Sequence, residues 1–112
     1  MEIQLSKYLY DIQQAGLLIQ EFTEGQDFAA YSAQPVVKAA VERQFITIGE
    51  ALNQVLRLAP DLENKITDAR KIVDFRNLLT HSYSTVSDEV VWDILQSKLL
   101  QLMEEVDQLL AE

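Results

Sequence analysis

Apolar residues recur at intervals of three and four along most of the chain, and that period is what most constrains the fold, because only helices packed side by side can bury it. Leu5, Tyr8, Leu9, Ile12, Ala15, Ile19 and Phe22 form one stripe and predict a helix over about residues 4–23, stopped by Glu24 and Gly25. Pro35 suits the first turn of a second helix, which Val37, Val41, Phe45, Ile48, Leu52 and Val55 carry to about Ala59, before Pro60. Between them, Asp27 is able to cap a short extra helix, with Phe28 and Tyr31 available to pack. A third helix begins at Thr67 or Asp68, carries Ala69, Ile72, Phe75 and Leu79, and ends near Ser82-Tyr83-Ser84-Thr85. Ser87 followed by Asp88 and Glu89 opens a last helix over about residues 88–111, with Val91, Leu95, Leu102, Val106 and Leu109 on one line.

The expected fold is therefore all-α, an antiparallel four-helix bundle forming a single domain over residues 1–112. Two features refine it. Gly49 lies inside the second helix, where glycine costs up to about 1 kcal/mol relative to alanine, and so marks a close helix approach. The last helix carries a second apolar line, Trp92, Leu99, Met103 and Leu110, which predicts either a face left for a partner, most often a second copy, or further burial within the chain. No cysteine is present, so disulfides and thiolate metal sites are excluded, and no cofactor or metal is expected. The absence of a long apolar run and of a signal-peptide pattern makes a soluble, cytoplasmic protein the default.

The formal charge of −9 argues against broad binding to duplex nucleic acid. Residues 64–83 depart from the acidic average: Lys65, Arg70, Lys71 and Arg76 outnumber Asp68 and Asp74. The same segment holds the run Arg76-Asn77-Leu78-Leu79-Thr80-His81-Ser82-Tyr83, which joins a planar cation, an amide, the only histidine and a phenol. His81 is suited to proton transfer, since an unperturbed imidazole titrates near roughly 6.5. Arg76 offers a fork for phosphate or carboxylate. Plainer roles compete: a helix C-cap for His81, a surface ion pair for Arg76, a local cap for Asn77, and packing for Tyr83. Glu50 reads as a solvated or arginine-paired charge and is left outside the site.

At about 100° per residue, Arg76 and His81 lie about 140° apart around one unbroken helix and cannot share a pocket, whereas Asn77 and His81, four apart, share a face. Gathering the four residues requires a helix break near Ser82 or a second protomer.

The arginine, polar residue, histidine and tyrosine spacing resembles the motif of the HEPN superfamily, in particular the HepT-like ribonuclease toxins of MNT/HEPN toxin–antitoxin pairs. Ile48-Gly49-Glu50-Ala51-Leu52 and Val91-Trp92-Asp93-Ile94 are similar to that family in order and spacing, so the likeness covers nearly the whole chain. It departs at Asp74, where a small residue is expected and where a carboxylate could pair with Arg76. The resemblance implies a homodimeric, metal-independent endoribonuclease acting as a toxin on RNA. Arg76 and His81 would be catalytic, with Asn77 and Tyr83 in support. It further implies a minimal nucleotidyltransferase antitoxin that adds AMP to Tyr83. The rival reading is a non-catalytic helical module that binds a nucleotide or that nucleotidyltransferase.

Overall fold

The computed structural model describes residues 1–112, all of them in helices or short connections. Six α-helices follow one another: α1 (Ile3–Thr23), α2 (Phe28–Ser32), α3 (Pro35–Leu58), α4 (Ala69–His81), α5 (Asp88–Ser97) and α6 (Leu99–Ala111), with 3-10 turns at Pro60–Asn64 and Tyr83–Thr85. The caps follow local chemistry. The Asp27 carboxylate accepts from the Ala30 amide at 2.8 Å to start α2, Pro35 opens α3, and the Ser87 hydroxyl accepts from the Val90 amide at 3.2 Å to start α5.

Each apolar stripe faces inward. Leu9, Ile12 and Ile19 of α1 meet Val41, Ile48, Leu52 and Val55 of α3 in one continuous core, joined by Phe75 and Leu79 of α4 and Val91 and Val106 of α5 and α6. Phe45 and Phe75 pack edge to face across α3 and α4, their centroids 5.4 Å apart. Fully burying one such side chain is worth about 1.5–3 kcal/mol, whereas an exposed ion pair contributes about 0.2–1 kcal/mol. The core therefore holds the helices together, and the ion pairs tune their ends.

Two expectations are corrected. The segment read as one last helix is two, parted at Lys98, whose backbone leaves the helical region with φ −121° and ψ −31°. No proline or glycine signals this break. Lys98 sends its ammonium to the Asp68 carboxylate at 2.9 Å, and Asp68 is a non-glycine residue with positive φ, 57°, at the start of α4. That hydrogen bond lowers the Asp68 carboxyl below its usual value and raises the Lys98 ammonium. The break lets α5 lie against α2 while α6 turns onto α1.

The second apolar line of the last segment is also largely used inside the chain. Leu99 and Met103 are buried, and Trp92 is half-buried against Tyr31 and Phe28 of α2, with centroids 5.1 and 6.4 Å away. The short helix α2 covers the Trp92 part of this line and α1 meets Met103, so burial within the chain, the second of the two alternatives, accounts for most of it.

Around that aromatic group, burial opposes ionisation of Asp88, yet its hydrogen bonds from Lys38 and Ser32 and the Lys38 charge hold its carboxyl below the ordinary value. At Glu42 the Lys38 charge compensates only in part. Burial, then the charge of Asp88, push its carboxyl up, so its charged form weakens the fold at neutral pH. A raised carboxyl makes its least unfavourable contribution at low pH, and the penalty enters as pH rises through the folded value. Glu42→Gln should therefore raise the melting temperature at pH 7 by about 1–3 °C, screening by solvent being allowed for. The advantage over wild type should vanish once both carboxyls are protonated, as thermal melts at pH 7 and pH 3 would show.

Candidate active site

Helix α4 runs without interruption from Ala69 to His81, so the motif residues take their directions from one regular helix. Phe75 and Leu79 point into the core. Arg76, next to Phe75, is drawn partly under α3, leaving 27% of its side chain exposed. The contact that allows this is at Gly49: a Cβ there would overlap the Arg76 Cβ and stand 2.7 Å from its Cγ. Glycine supplies the missing volume, which is the close approach that its place in the second helix signalled.

The guanidinium fork is held on two sides. Its Nη1 donates to the Asn77 side-chain oxygen at 2.8 Å, and its Nη2 donates to Glu50 Oε1 at 3.3 Å. Its Nε is buried and has no acceptor. Asp74, the carboxylate singled out from the sequence as a possible partner, does not pair with Arg76; two steps along a helix turn it away, and Glu50, one residue after Gly49, takes its place. Glu50 is the residue that the sequence reading left out. Pairing with an arginine is one of the roles its sequence position suggests, and facing the cleft is the less favoured one; the structure gives it the first, at the edge of the groove. Its position beside Gly49 was the available signal.

Arg76 and Glu50 line a groove of about 500 Å³ between α1 and α3, together with Tyr8, Asp11, Asn53 and Gln54. The structure thus brings Arg76, Asn77 and Glu50 together. It does not bring His81 or Tyr83 to them. His81 is exposed at the end of α4, and Tyr83, in the 3-10 turn that follows, has 71% of its surface exposed. The turn begins at Ser82, whose amide donates to the Leu78 carbonyl at 2.8 Å, so the helix ends after the histidine and not before it. No group of three or more His, Asp or Glu side chains is arranged to hold a metal ion.

A planar cation and an exposed imidazole on one helix, in an all-helical chain of this order, match a known family. The family model described as ribonuclease HepT-like matches residues 12–109. The chain belongs to the HepT-like ribonuclease family. Two proteins of Methanocaldococcus jannaschii, both named “Putative RNase”, are similar to it. One is 26% identical over 102 residues, spanning 89% of this chain and 91% of the relative. The other is 28% identical over 107 residues, spanning 94% of this chain and 86% of the relative. No solved structure matches significantly. The matched span includes every residue of the motif and all of α3, α4, α5 and most of α6, while α1 enters it only from Ile12. No helix is long and apolar enough to cross a membrane.

The geometry at Gly49 makes a direct prediction. Alanine is the better helix former by about 1 kcal/mol, yet its methyl group would collide with the first side-chain atoms of Arg76, which cannot swing aside as a flexible tip could. Gly49→Ala should lower stability by about 1–3 kcal/mol in urea titration despite the gain in propensity. An unchanged or higher midpoint would show that α3 and α4 do not depend on this contact.

Proposed function

We propose that the chain is a metal-independent endoribonuclease acting as the toxin of a toxin–antitoxin pair, with its active site in the cleft of a homodimer. The observation that carries this reading is the division of the motif along α4 within a ribonuclease family match: Arg76 is anchored beside Glu50 while His81 stands exposed at the helix end. On one copy these groups diverge by about 140° around the helix axis. A two-fold pairing of copies places two arginines and two histidines across one cleft, which meets the chemical need.

Cleaving RNA without a metal requires a base to take the 2′-hydroxyl proton, an acid to protonate the departing 5′-oxygen, and positive charge for the crowded phosphorane. The 2′-oxygen attacks phosphorus, the bond from phosphorus to the 5′-oxygen breaks, and a cyclic phosphate and a 5′-hydroxyl result. One His81 takes the first proton and the other, in its protonated form, gives the second. Arg76 stabilises the phosphorane oxygens with its fork, exchanging the Glu50 contact for phosphate, and Asn77 keeps that fork in orientation. Tyr83 contacts RNA at the rim. Its exposed phenol is open to a nucleotidyltransferase antitoxin, and an AMP unit added there would block the cleft with bulk and negative charge.

His81→Ala and Arg76→Ala should each abolish RNA cleavage in chelator and relieve growth inhibition, with helical content unchanged by circular dichroism. Wild-type cleavage by either variant would remove that residue from the mechanism, and RNA left intact by the parent protein would leave a nucleotide-binding module as the surviving reading. Mass spectrometry after co-expression with a nucleotidyltransferase partner should show an added AMP mass that Tyr83→Phe loses. An unmodified Tyr83 would refute the silencing step.

A further inference from the structure

The groove between α1 and α3 reaches well beyond what phosphate chemistry at Arg76 requires. Its volume, about 500 Å³, lies in the range of small-ligand clefts. Along α3 its wall runs from Thr47 to Gln54, seven steps or about 10 Å at helical rise, enough for one nucleoside and its phosphate.

The chemistry of the wall selects the occupant. The two lining carboxylates are each matched by a cation: Asp11 bonds the Lys7 ammonium at 2.8 Å, and Glu50 bonds Arg76 at 3.3 Å. With its charges balanced, the groove repels a polyanion less than the acidic body does, and it offers no uncompensated positive charge that would draw phosphates into its interior. It suits a neutral, polar, flat group. Tyr8 supplies an aromatic wall, half-buried against the core; the Lys7 ammonium lies over its ring, 5.2 Å from the centroid, and on its flexible stem swings aside when a base stacks there. On the facing helix, Thr47 donates its hydroxyl to the Arg43 carbonyl and Glu50 accepts from Arg76, which leaves the Asn53 and Gln54 amides free to present both a donor and an acceptor. An aromatic wall on one helix and two amides on the other, with an arginine fork in the same lining, are complementary to a nucleobase joined to a phosphate.

We propose that this groove is a subsite for the base of one unpaired ribonucleotide, whose phosphate lies at Arg76. The inference rests on the ribonuclease reading for the identity of the strand and deepens it by specifying that the substrate is single-stranded at this position. A base within a duplex is stacked and paired and cannot enter a groove between two helices, whereas an unstacked base can be splayed onto an aromatic side chain and bonded along its edge.

The test uses the full chain and a ribodinucleotide blocked by a 2′-O-methyl group, so that binding is read without cleavage, with inorganic phosphate as the second probe. Tyr8→Leu keeps an apolar contact with the core but removes the π-face. The Asn53→Ala, Gln54→Ala double variant removes the amides without touching Arg76. Each should weaken the dinucleotide about tenfold by calorimetry, the scale of one base stack, while leaving phosphate affinity and the thermal melt unchanged. Arg76→Ala should weaken both probes. Dinucleotide affinity within about twofold of the parent in both groove variants, or no dinucleotide binding by the parent, would overturn the subsite. If cleavage of RNA by the parent then still depends on Arg76 and His81, the ribonuclease reading stands without it. Groove-dependent dinucleotide binding by a parent that cleaves no RNA would support the subsite and remove the ribonuclease reading.

Discussion

The position of Arg76 depends on one absent methyl group. Because residue 49 has no Cβ, α4 can bring the first side-chain atoms of Arg76 against the backbone of α3, and the guanidinium emerges beside Glu50 at the edge of the groove. A side chain displaced by an ångström here would still be an arginine on a helical surface, but its fork would be free to swing into solvent. The packing around it, Phe45 against Phe75 and Ile48 in the core, fixes the rotation of α4, and with it the direction of every motif residue. Site geometry in this protein is thus a consequence of core packing at a single helix crossing.

Electrostatics then limit how such a site can meet RNA. In sequence, residues 64–83 look like a basic island in an acidic chain. In the fold each of its four cations has a carboxylate partner: Lys65 meets Glu112, Arg70 meets Glu63, Lys71 meets Asp68 and Arg76 meets Glu50. The island is neutralised by one carboxylate of its own, Asp68, and by three from outside it, Glu63, Glu112 and Glu50, and no broad positive surface results. Three of these cations have more than half of their side chains in water, where such pairs contribute little and exchange readily. Arg76 differs, being mostly shielded and carrying a buried Nε without an acceptor. Under the proposed function, recognition is local, at one well-placed arginine, with few phosphates touched at once.

Much of this was legible in the sequence. The apolar period gave the helices and the inward faces, and Asp27, Pro35 and Ser87 marked starts that the structure keeps within a residue or two. Gly49 announced a close crossing, and the 140° separation of Arg76 and His81 followed from helix geometry alone. The misses share a physical origin. The break at Lys98 carries no proline or glycine to mark it, and the carboxylate that its ammonium meets, Asp68, lies thirty residues away in sequence. The second apolar line on the last segment and the packing residues Phe28 and Tyr31 could both be seen, but not that Trp92 meets them, since a five-residue helix has too little periodicity to reveal its face. The choice between Asp74 and Glu50 as partner of Arg76 was likewise a tertiary question, decided by the helix that lies across α4 rather than by proximity along it.

With the extra apolar line mostly absorbed within one chain, the case for pairing of copies shifts from hydrophobic surplus to catalytic geometry. A single helix cannot aim residues five apart at one phosphodiester, and α4 has neither the kink nor the early end that would change their angle. Moving the helix stop upstream of His81 would free the imidazole, but it would also expose Leu79, which is buried in the core. Folding and catalysis therefore make opposed demands on α4: the core needs it intact through its last turn, and a composite site needs its two ends side by side. Under the proposed function a second copy of the same helix would satisfy both, because each chain would keep its own α4 whole while the cleft took an arginine and a histidine from each.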